Sequence, residues 1–354
     1  MIPREVQVDL GIPVKIKLMN IIIPMAGMGK RMRPHTLTTP KPLIPIAGKP
    51  IVQRIVEDII ATCSEKIEHI AFVIGPNFGK EVEAHLLAVA NTLGATGHIC
   101  VQEEPKGTAH AILCAEKILD GNTFIAFADT LFNATFSIDT QKDAIIWTQK
   151  IEDPSNFGVV KLSEGNKIEA FVEKPQEFVS DLAIIGVYYF KDGANLKKEL
   201  QRLIDQNIQQ KGEYQITDAM EHMLQNGLNF YTDQVSEWLD CGNKDATVYT
   251  NQRILSIKYQ NESSIDPSAT IKNTTIIHPC YIGANVHIEN SVIGPHVSLE
   301  KGASAKQSII SNSIIQEKAS IDSANLNNSL IGKECKLKGK TESFSIGDYS
   351  TQES

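Results

Sequence analysis

The sequence predicts an α/β fold in which a mostly parallel sheet is followed by a parallel β-helix. Three observations support this prediction. An apolar run ends in a glycine turn at Gly27 and Gly29, strand and helix signals then alternate to about residue 225, and aliphatic residues recur at short intervals from about residue 264. The alternation is typical of a parallel sheet with helices on its faces, and the short repeat is typical of a solenoid.

The first element is the apolar run from Asn20 to Ala26, which predicts a buried parallel strand. Apolar residues at helical spacing, such as Ile51, Ile55 and Ile59, predict the first helix, and Thr108 is a candidate N-cap of a later one. The remaining predicted helices cover 82–93, 108–119, 194–208 and 217–225, and the remaining strands cover 69–75, 99–102, 123–128, 144–149, 158–162 and 183–190. In such a sheet, ligands bind at the C-terminal ends of the strands.

The C-terminal repeat consists of aliphatic residues at intervals of five or six, from Ile265 to Leu337. This period is too short for a helix and fits hexapeptide repeats, whose coils stack around a thin aliphatic column. The predicted organisation is an N-terminal extension at 1–18, an α/β domain at 19–260, a β-helix at 261–340 and a polar tail at 341–354. We expect the β-helix to serve stability and assembly into a homo-oligomer, not chemistry.

Composition and charge exclude several classes of protein. No apolar run approaches the roughly 20 residues of a membrane span, and the N-terminus lacks the apolar core of a secretory signal. The net charge of −8 argues against a general nucleic-acid binder. The six cysteines lie far apart without a CxxC pair, which indicates reduced thiols in a cytoplasmic protein. The stretch from Leu10 to Val56 holds no Asp or Glu but eight Lys and Arg, which indicates a site for a small anion.

The glycine turn has the residue types of a phosphate site. Gly27 and Gly29 permit a tight turn whose backbone N–H groups can approach phosphate oxygens. Arg31 offers a planar fork of donors and Lys41 a mobile point charge. Met32 stands where a dinucleotide fingerprint has its third glycine, and the Gly-Lys-Ser/Thr ending of a P-loop is absent from the turn.

Together with the stretch T-P-K-P-L-I-P at 39–45, this turn resembles the sugar-1-phosphate nucleotidyltransferases, also called nucleotide-sugar pyrophosphorylases. The resemblance covers about residues 19–340. It continues in order through Q-E-E-P-K-G-T-A at 102–109, A-D at 128–129, D-P-S-N-F-G-V-V at 153–160, E-K-P at 173–175, G-V-Y at 186–188, T-D at 217–218 and W-L-D-C-G at 238–242. It implies a Rossmann-like nucleotidyltransferase domain followed by a left-handed β-helix. It also implies transfer of a nucleoside monophosphate from an NTP to a sugar 1-phosphate, with release of pyrophosphate.

The resemblance also implies a role for each matching residue. The catalytic cations would be Arg31 on the triphosphate, Lys41 on the leaving pyrophosphate and Lys174 on the sugar phosphate. Asp129 and Asp240 would bind Mg²⁺ as a cofactor, since hard carboxylates suit this ion. The nucleotide would contact Ala26, Gly27, Met28, Gly29, Gln102, Pro105, Gly107 and Thr108. The sugar phosphate would contact Gly158, Glu173, Gly186 and Tyr188. The chain departs from the common pattern in a shorter glycine turn, in Ala128 for Gly and in Cys241 for Thr.

Several alternatives remain open at this point. Gln102 before P-x-G-T-A favours dTTP or UTP, with glucose 1-phosphate as the second substrate, whereas GTP with mannose 1-phosphate is the alternative. Some relatives use the β-helix to acetylate an amino sugar, which would make the protein bifunctional. A non-catalytic regulatory relative would be expected to lose the charged site residues, but Arg31, Lys41, Asp129 and Asp240 are all present.

Overall fold

The structure, a computed structural model, describes residues 18–27, 29–133, 138–262 and 264–340. The predicted polar tail and all of the predicted N-terminal extension except Leu18 lie outside these residues. No helix among the described residues is long and apolar enough to cross a bilayer.

The first domain combines strands and helices in alternation over most of its length. The strands are β1 (Leu18–Pro24), β2 (Pro45–Ile46), β3 (Lys49–Pro50), β4 (Lys66–Ile74), β5 (Thr96–Val101), β6 (Asn122–Ala126), β7 (Thr130–Asn133), β8 (Ala144–Lys150), β9 (Gly158–Leu162), β10 (Ile168–Glu173), β11 (Leu182–Phe190), β12 (Phe230–Gln234) and β13 (Glu237–Asp240). The helices are α1 (Ile51–Thr62), α2 (Lys80–Thr92), α3 (Thr108–Leu113), α4 (Gly193–Asp205), α5 (Ile216–Gln225) and α6 (Lys244–Lys258).

The central sheet has nine strands, in the order β10-β9-β11-β6-β1-β4-β5, with β8 beside β11 and β12 beside β8. Strands β6, β1, β4 and β5 are parallel, as are β8 and β12, while β11 is antiparallel to its neighbours β6, β8 and β9. Side chains of β1 alternate between the two faces, so that Ile21 and Ile23 join one buried cluster and Ile22 joins the other. The predicted Rossmann-like fold class is therefore confirmed.

The third helix differs from its prediction. We expected a helix at 108–119 capped by Thr108, but α3 ends at Leu113 and its N-cap is Gly107, without a side-chain capping bond. The hydroxyl of Thr108 instead donates to Oε1 of Gln215 and accepts from the backbone N–H of Ile216. The Thr108 hydroxyl is therefore used in a tertiary contact and does not cap the helix. The elements that were not predicted are strands β2, β3, β7, β10, β12 and β13 and helix α6.

The β-helix consists of three parallel sheets, ordered β14-β17-β20-β23-β26, β15-β18-β21-β24 and β16-β19-β22-β25. Its strands are β14 (Thr270–Lys272), β15 (Thr275–Ile276), β16 (Cys280–Ile282), β17 (His287–Glu289), β18 (Val292–Ile293), β19 (Val297–Leu299), β20 (Ser304–Lys306), β21 (Ile309–Ser311), β22 (Ser313–Ile315), β23 (Ser320–Asp322), β24 (Asn325–Asn327), β25 (Leu330–Ile331) and β26 (Lys336–Lys338). Ile271, Ile288, Ala305, Ile321 and Leu337 are in register from coil to coil, which confirms the predicted stacking.

One face of the β-helix packs against the first domain. Tyr281, Ser298, Ile314 and Leu330 occupy matching positions on β16, β19, β22 and β25. Ile314 and Leu330 belong to the same buried apolar cluster as the core of the first domain, and Tyr281 packs against that cluster. The two parts therefore share a hydrophobic seam.

Candidate active site

An open cleft with about 970 Å³ of empty volume lies beside the carboxyl end of β6. Nine of the residues that sequence analysis selected line it, although they come from distant segments. They are Arg31, Thr108, Asp129, Gly158, Glu173, Lys174, Gly186, Tyr188 and Asp240. The structure thus brings the predicted triphosphate, metal and sugar residues to one cavity.

Two short 3-10 helices carry the predicted cations Arg31, which lines the cleft, and Lys41, which is buried beside it and does not line it. Arg31 is exposed on the helix Lys30–Met32, and Lys41 is buried at the start of the helix Lys41–Leu43. The Nζ atom of Lys41 lies 3.2 Å from Oδ2 of Asp129. Gly29 has a φ of 56°, and a Cβ added there would lie 2.9 Å from the Cβ of Lys41. The turn therefore needs glycine both for its backbone conformation and for the close approach of Lys41.

The two predicted metal ligands are neighbours. Strand β13 pairs with β7 so that Asp240 lies opposite Thr130, and the backbone N–H of Cys241 donates to the carbonyl of Asp129 at 3.0 Å. Burial raises the pKa of Asp240, while Lys41, the backbone N–H of Gly242 and Arg31 lower it in part. Among the described residues, no group of three His, Cys, Asp or Glu side chains could hold a metal ion. Two carboxylates still fit Mg²⁺ if phosphate and water oxygens complete its shell.

The lining of the cleft also includes Glu173, whose carboxylate has three close neighbours. Oε2 of Glu173 accepts a hydrogen bond from the hydroxyl of Thr217 at 3.1 Å, and Oε1 lies 3.3 Å from Nζ of Lys174. A Cβ on Gly158 would stand 3.0 Å from Oε2 of Glu173. Lys174 has a φ of 45°, an uncommon left-handed conformation for a residue with a side chain. Such constrained backbones concentrate at functional sites.

Gly186 and Tyr188 also line the cleft. Strand β11 is irregular between Ile184 and Tyr188, and Gly186 there has a φ of 79°. Its carbonyl accepts from the backbone N–H of Phe127 at 2.9 Å. Burial raises the pKa of Tyr188 strongly, with smaller contributions from Glu173 and Asp129. The phenol therefore stays protonated and, in the lining of the cleft, can donate a hydrogen bond to an oxygen ligand.

The predicted base-recognition residues lie beside the cleft. The Nε2 group of Gln102 donates to the carbonyl of Gly107 at 3.2 Å and is 3.0 Å from Nδ1 of His110. Burial, helped by Lys106, lowers the pKa of His110, so its neutral ring can accept this bond. Because both amide protons then have partners, Oε1 is the part of Gln102 left for a ligand. A Cβ on Gly107 would stand 2.5 Å from the carbonyl oxygen of Tyr214.

The other predicted nucleotide-binding residues that the structure describes, Ala26, Gly27 and Pro105, do not line the cleft. Ala26 and Gly27 follow β1, and a Cβ on Gly27 would meet no atom within 4 Å. Pro105 is exposed in the loop before α3, and Met28 lies outside the described residues.

Sequence reasoning missed the role of Gln215 and gave none to Trp238. Gln215 is buried, accepts from Thr108 and donates to Glu213. The ring of Trp238 meets Phe157 edge-on at 5.5 Å, and both rings line the cleft. No spacing signal could join Thr108 and Gln215, because 107 positions separate them. The aromatic residues were inside the quoted motifs and could have been assigned to the cleft wall.

Comparison with known proteins identifies the family of this chain. A family model described as nucleotidyl transferase matches residues 20–257. Glucose-1-phosphate thymidylyltransferase of Streptomyces antibioticus is 27% identical over 363 residues, covering 95% of this chain and 99% of that protein. Bifunctional protein GlmU of Methanococcus maripaludis strain C7 is 31% identical over 268 residues, covering 73% of this chain and 62% of that protein. A solved UDP-glucose pyrophosphorylase complexed with UDP-glucose shares the fold, with a TM-score of 0.55 and 23% identity over 69% of this chain and all of its own.

Proposed function

Since this chain belongs to the nucleotidyl transferase family, we propose that it transfers a nucleoside monophosphate from dTTP or UTP to glucose 1-phosphate. The products are a nucleoside diphosphate sugar and pyrophosphate. The observation that carries this proposal is a single cleft lined by two sets of charged residues. Arg31, Asp129 and Asp240 form one set, with Lys41 bound to Asp129, and Glu173 and Lys174 form the other. Two phosphorylated substrates can therefore meet in the same cavity.

The chemistry needs no protein nucleophile. A phosphate monoester has a second pKa of about 6, so the sugar 1-phosphate is mostly a dianion at neutral pH. One of its oxygens attacks the α-phosphorus of the NTP, and the bond from that phosphorus to the pyrophosphate oxygen breaks. The residues position the two reactants and neutralise charge that moves onto the leaving group. In this proposal, Arg31 and Lys41 would contact the triphosphate, and Lys174 would contact the attacking phosphate.

The carboxylates Asp129 and Asp240 would hold a divalent metal ion, which we propose to be Mg²⁺. When bound, such an ion neutralises phosphate charge and fixes the phosphate oxygens. The Nζ–Oδ2 contact joins Lys41 and Asp129 as a pair of opposite charges. The phosphate oxygens of a bound triphosphate would be alternative partners for the lysine, and Asp129 and Asp240 would be the residues that hold the ion.

The choice of a pyrimidine nucleotide rests on Gln102 and on one comparison. The N3–H of thymine or uracil is a donor, and the Oε1 atom of Gln102 is the acceptor that its other bonds leave available. The relative that is 27% identical over nearly the whole of both chains is a glucose-1-phosphate thymidylyltransferase. Guanine offers a different hydrogen-bonding edge, with an amino group beside its N1–H. The alternative substrate pair is GTP with mannose 1-phosphate.

The test is a matrix of nucleoside triphosphates against sugar 1-phosphates, scored by pyrophosphate release. We expect the highest kcat/KM for dTTP or UTP with glucose 1-phosphate, and pyrophosphate release at least about a hundredfold slower with an Arg31→Ala variant. The Lys30→Ala variant is a matched control, since Lys30 is an exposed cation on the same 3-10 helix. Absence of pyrophosphate release with every pair would overturn the reaction class, whereas a preference for GTP would overturn only the substrate pair.

A further inference from the structure

The segment after Lys41 is a short hairpin with little freedom. Ile44 donates its backbone N–H to the carbonyl of Lys41 at 3.0 Å, and Ile51 donates to the carbonyl of Ile44 at 3.1 Å. Between them, β2 pairs with β3. The guanidinium of Arg54 is buried and donates to the carbonyl of Ile46 at 2.5 Å and to that of Ala47 at 2.6 Å. The position of the hairpin therefore fixes the backbone from which the Lys41 side chain projects.

The turn of this hairpin is closed by the β-helix. Ala47 and Gly48 have φ angles of 47° and 85°, and a Cβ on Gly48 would overlap the ring of Tyr281 at 2.3 Å. The backbone N–H of Gly48 donates to Oε1 of Glu300 at 3.2 Å. The Tyr281 ring and the Glu300 carboxylate thus meet the turn from the β-helix.

A second link reaches the same turn through α6. The backbone N–H of Ala47 donates to Oδ1 of Asn251 at 2.9 Å. The same oxygen accepts from the hydroxyl of Ser298, on β19, at 2.7 Å. Ser298 and Asn251 are both fully buried. Strand β19 and the residue after it therefore support both backbone N–H groups at the tip of the hairpin, directly through Glu300 and indirectly through Ser298.

Glu300 is a charged residue type at the hydrophobic seam between the first domain and the β-helix. It is only 7% exposed, and burial raises its pKa to about 7, with Gly48 and Arg54 offsetting this in part. A buried carboxylate is costly, and the aliphatic column of the β-helix does not include Glu300. Its carboxylate accepts a hydrogen bond from the hairpin of the other domain. We therefore assign to Glu300 the role of holding the hairpin.

We propose that Tyr281, Ser298 and Glu300 of the β-helix are positioning residues for Lys41, acting through the hairpin 44–50. The inference rests on the proposed function, in which Lys41 acts on the leaving pyrophosphate. It goes beyond that function because it gives the β-helix a part in nucleotidyl transfer. A displacement of about 1 Å in a catalytic group can lower a rate on the order of a hundredfold. A hairpin held from both domains prevents such a displacement.

The test compares Glu300→Ala, Ser298→Ala and Tyr281→Ala with the conservative variant Glu300→Gln. The glutamine keeps an acceptor for the Gly48 N–H, whereas alanine removes it. We expect Glu300→Ala and Tyr281→Ala to lower kcat about tenfold or more, with the KM for sugar 1-phosphate nearly unchanged. Glu300→Gln should recover kcat to within about threefold of the parent. Ser298→Ala removes only one hydroxyl. It therefore provides a test of the proposal even if the larger truncations do not fold.

A control and a double variant separate positioning from general damage to the seam. Ser256→Ala removes another seam hydrogen bond, between Ser256 and Nε2 of His296, without touching the hairpin, and should keep the parental kcat. In a Lys41→Ala background, Glu300→Ala should have little further effect on kcat, because the two act as one unit.

The possible failures are distinct. If Lys41→Ala keeps its turnover, the proposed function fails at this residue. If Lys41→Ala loses turnover while the folded Ser298, Tyr281 and Glu300 variants keep theirs, only the positioning inference fails. Additive losses in the double variant would also overturn it.

Discussion

Nζ of Lys41 lies 3.2 Å from Oδ2 of Asp129, and the two side chains differ sharply in exposure, at 8% and 46%. The lysine is held inside the protein, and the carboxylate reaches into the cleft. The two residues are 88 positions apart, and each is predicted to act on a phosphate, one directly and one through a metal ion. This contact links a predicted phosphate-binding cation to a predicted metal ligand. We expect substitutions at these two residues to have the largest effects on turnover.

Replacing Arg31 or Lys41 with alanine should lower turnover at least about a hundredfold, because both cations oppose charge on the leaving pyrophosphate. Pyrophosphate release measures the loss, and circular dichroism checks the fold. The exposed Lys30→Ala variant should keep its activity. Near-parental turnover in either site variant would show that the triphosphate residues were wrongly chosen.

Removing divalent metal with a chelator should abolish activity, and Mg²⁺ should restore it, because the two carboxylates need a cation to bind a triphosphate. Asp129→Asn and Asp240→Asn should each raise the Mg²⁺ concentration needed for half-maximal rate by about tenfold or more. Asp205→Asn, at the end of α4 and away from the cleft, serves as the control. An unchanged Mg²⁺ dependence in both site variants would point to other ligands.

The enzyme should prefer dTTP or UTP over GTP by at least about tenfold in kcat/KM. An unpaired polar group against the wrong base costs about 1–3 kcal/mol. Gln102→Leu removes the Oε1 acceptor and leaves His110 and Gly107 in place, so it should reduce this preference more than it reduces the maximal rate. Measurement of kcat/KM for the three nucleotides decides the point. A preference that survives Gln102→Leu intact would place base recognition elsewhere.

Gly158→Ala should weaken the sugar side selectively. The new Cβ would lie 3.0 Å from Oε2 of Glu173 and 3.2 Å from Cγ2 of Thr217, so the carboxylate has to move. Overpacking of this kind typically costs about 1–3 kcal/mol. We expect the KM for the sugar 1-phosphate to rise about tenfold, with the KM for the NTP as the internal control. Equal rises in both would indicate a general disturbance of the cleft.

Glu300 should make the stability of the folded chain depend on pH. An ordinary glutamate titrates near 4.5, whereas burial raises the pKa of Glu300 to about 7. The folded state therefore favours the protonated form. Its contribution to stability is full below about pH 4.5, falls as the pH rises, and is lost above about pH 7, a difference on the order of 3 kcal/mol. The groups that face this carboxyl are the backbone N–H of Gly48, the Arg54 guanidinium and the Tyr281 phenol.

Glu300→Gln removes this titration and leaves those neighbours in place. We compare the melting temperature of the variant with that of the parent at pH 8 and at pH 5.5. The difference, variant minus parent, should be larger at pH 8 than at pH 5.5 by roughly 2–4 °C or more. Scanning calorimetry at the two pH values gives the comparison. The same difference between the two proteins at both pH values would mean that Glu300 does not titrate in this range.

Much of the fold could be predicted from the sequence, because its signals are local. The apolar run of β1, the spacing of Ile51, Ile55 and Ile59 in α1, and the hexapeptide period each reflect geometry within a few residues. The site residues were found through short motifs, in which glycine turns and charged residues stand close together along the chain. Strands such as β12 and β13 escaped prediction, because they are short and their patterns do not distinguish them from loops.

By itself, the sequence determined the fold class, the repeat and the set of charged side chains available for a phosphate site. Only the tertiary structure decided which of them meet. It placed Lys41 on Asp129, Thr217 on Glu173 and Thr108 on Gln215. It also brought Tyr281, Ser298 and Glu300 to the hairpin after Lys41. These contacts join residues that are tens to hundreds of positions apart, and they depend on how the sheet, α6 and the β-helix pack, which no local pattern encodes.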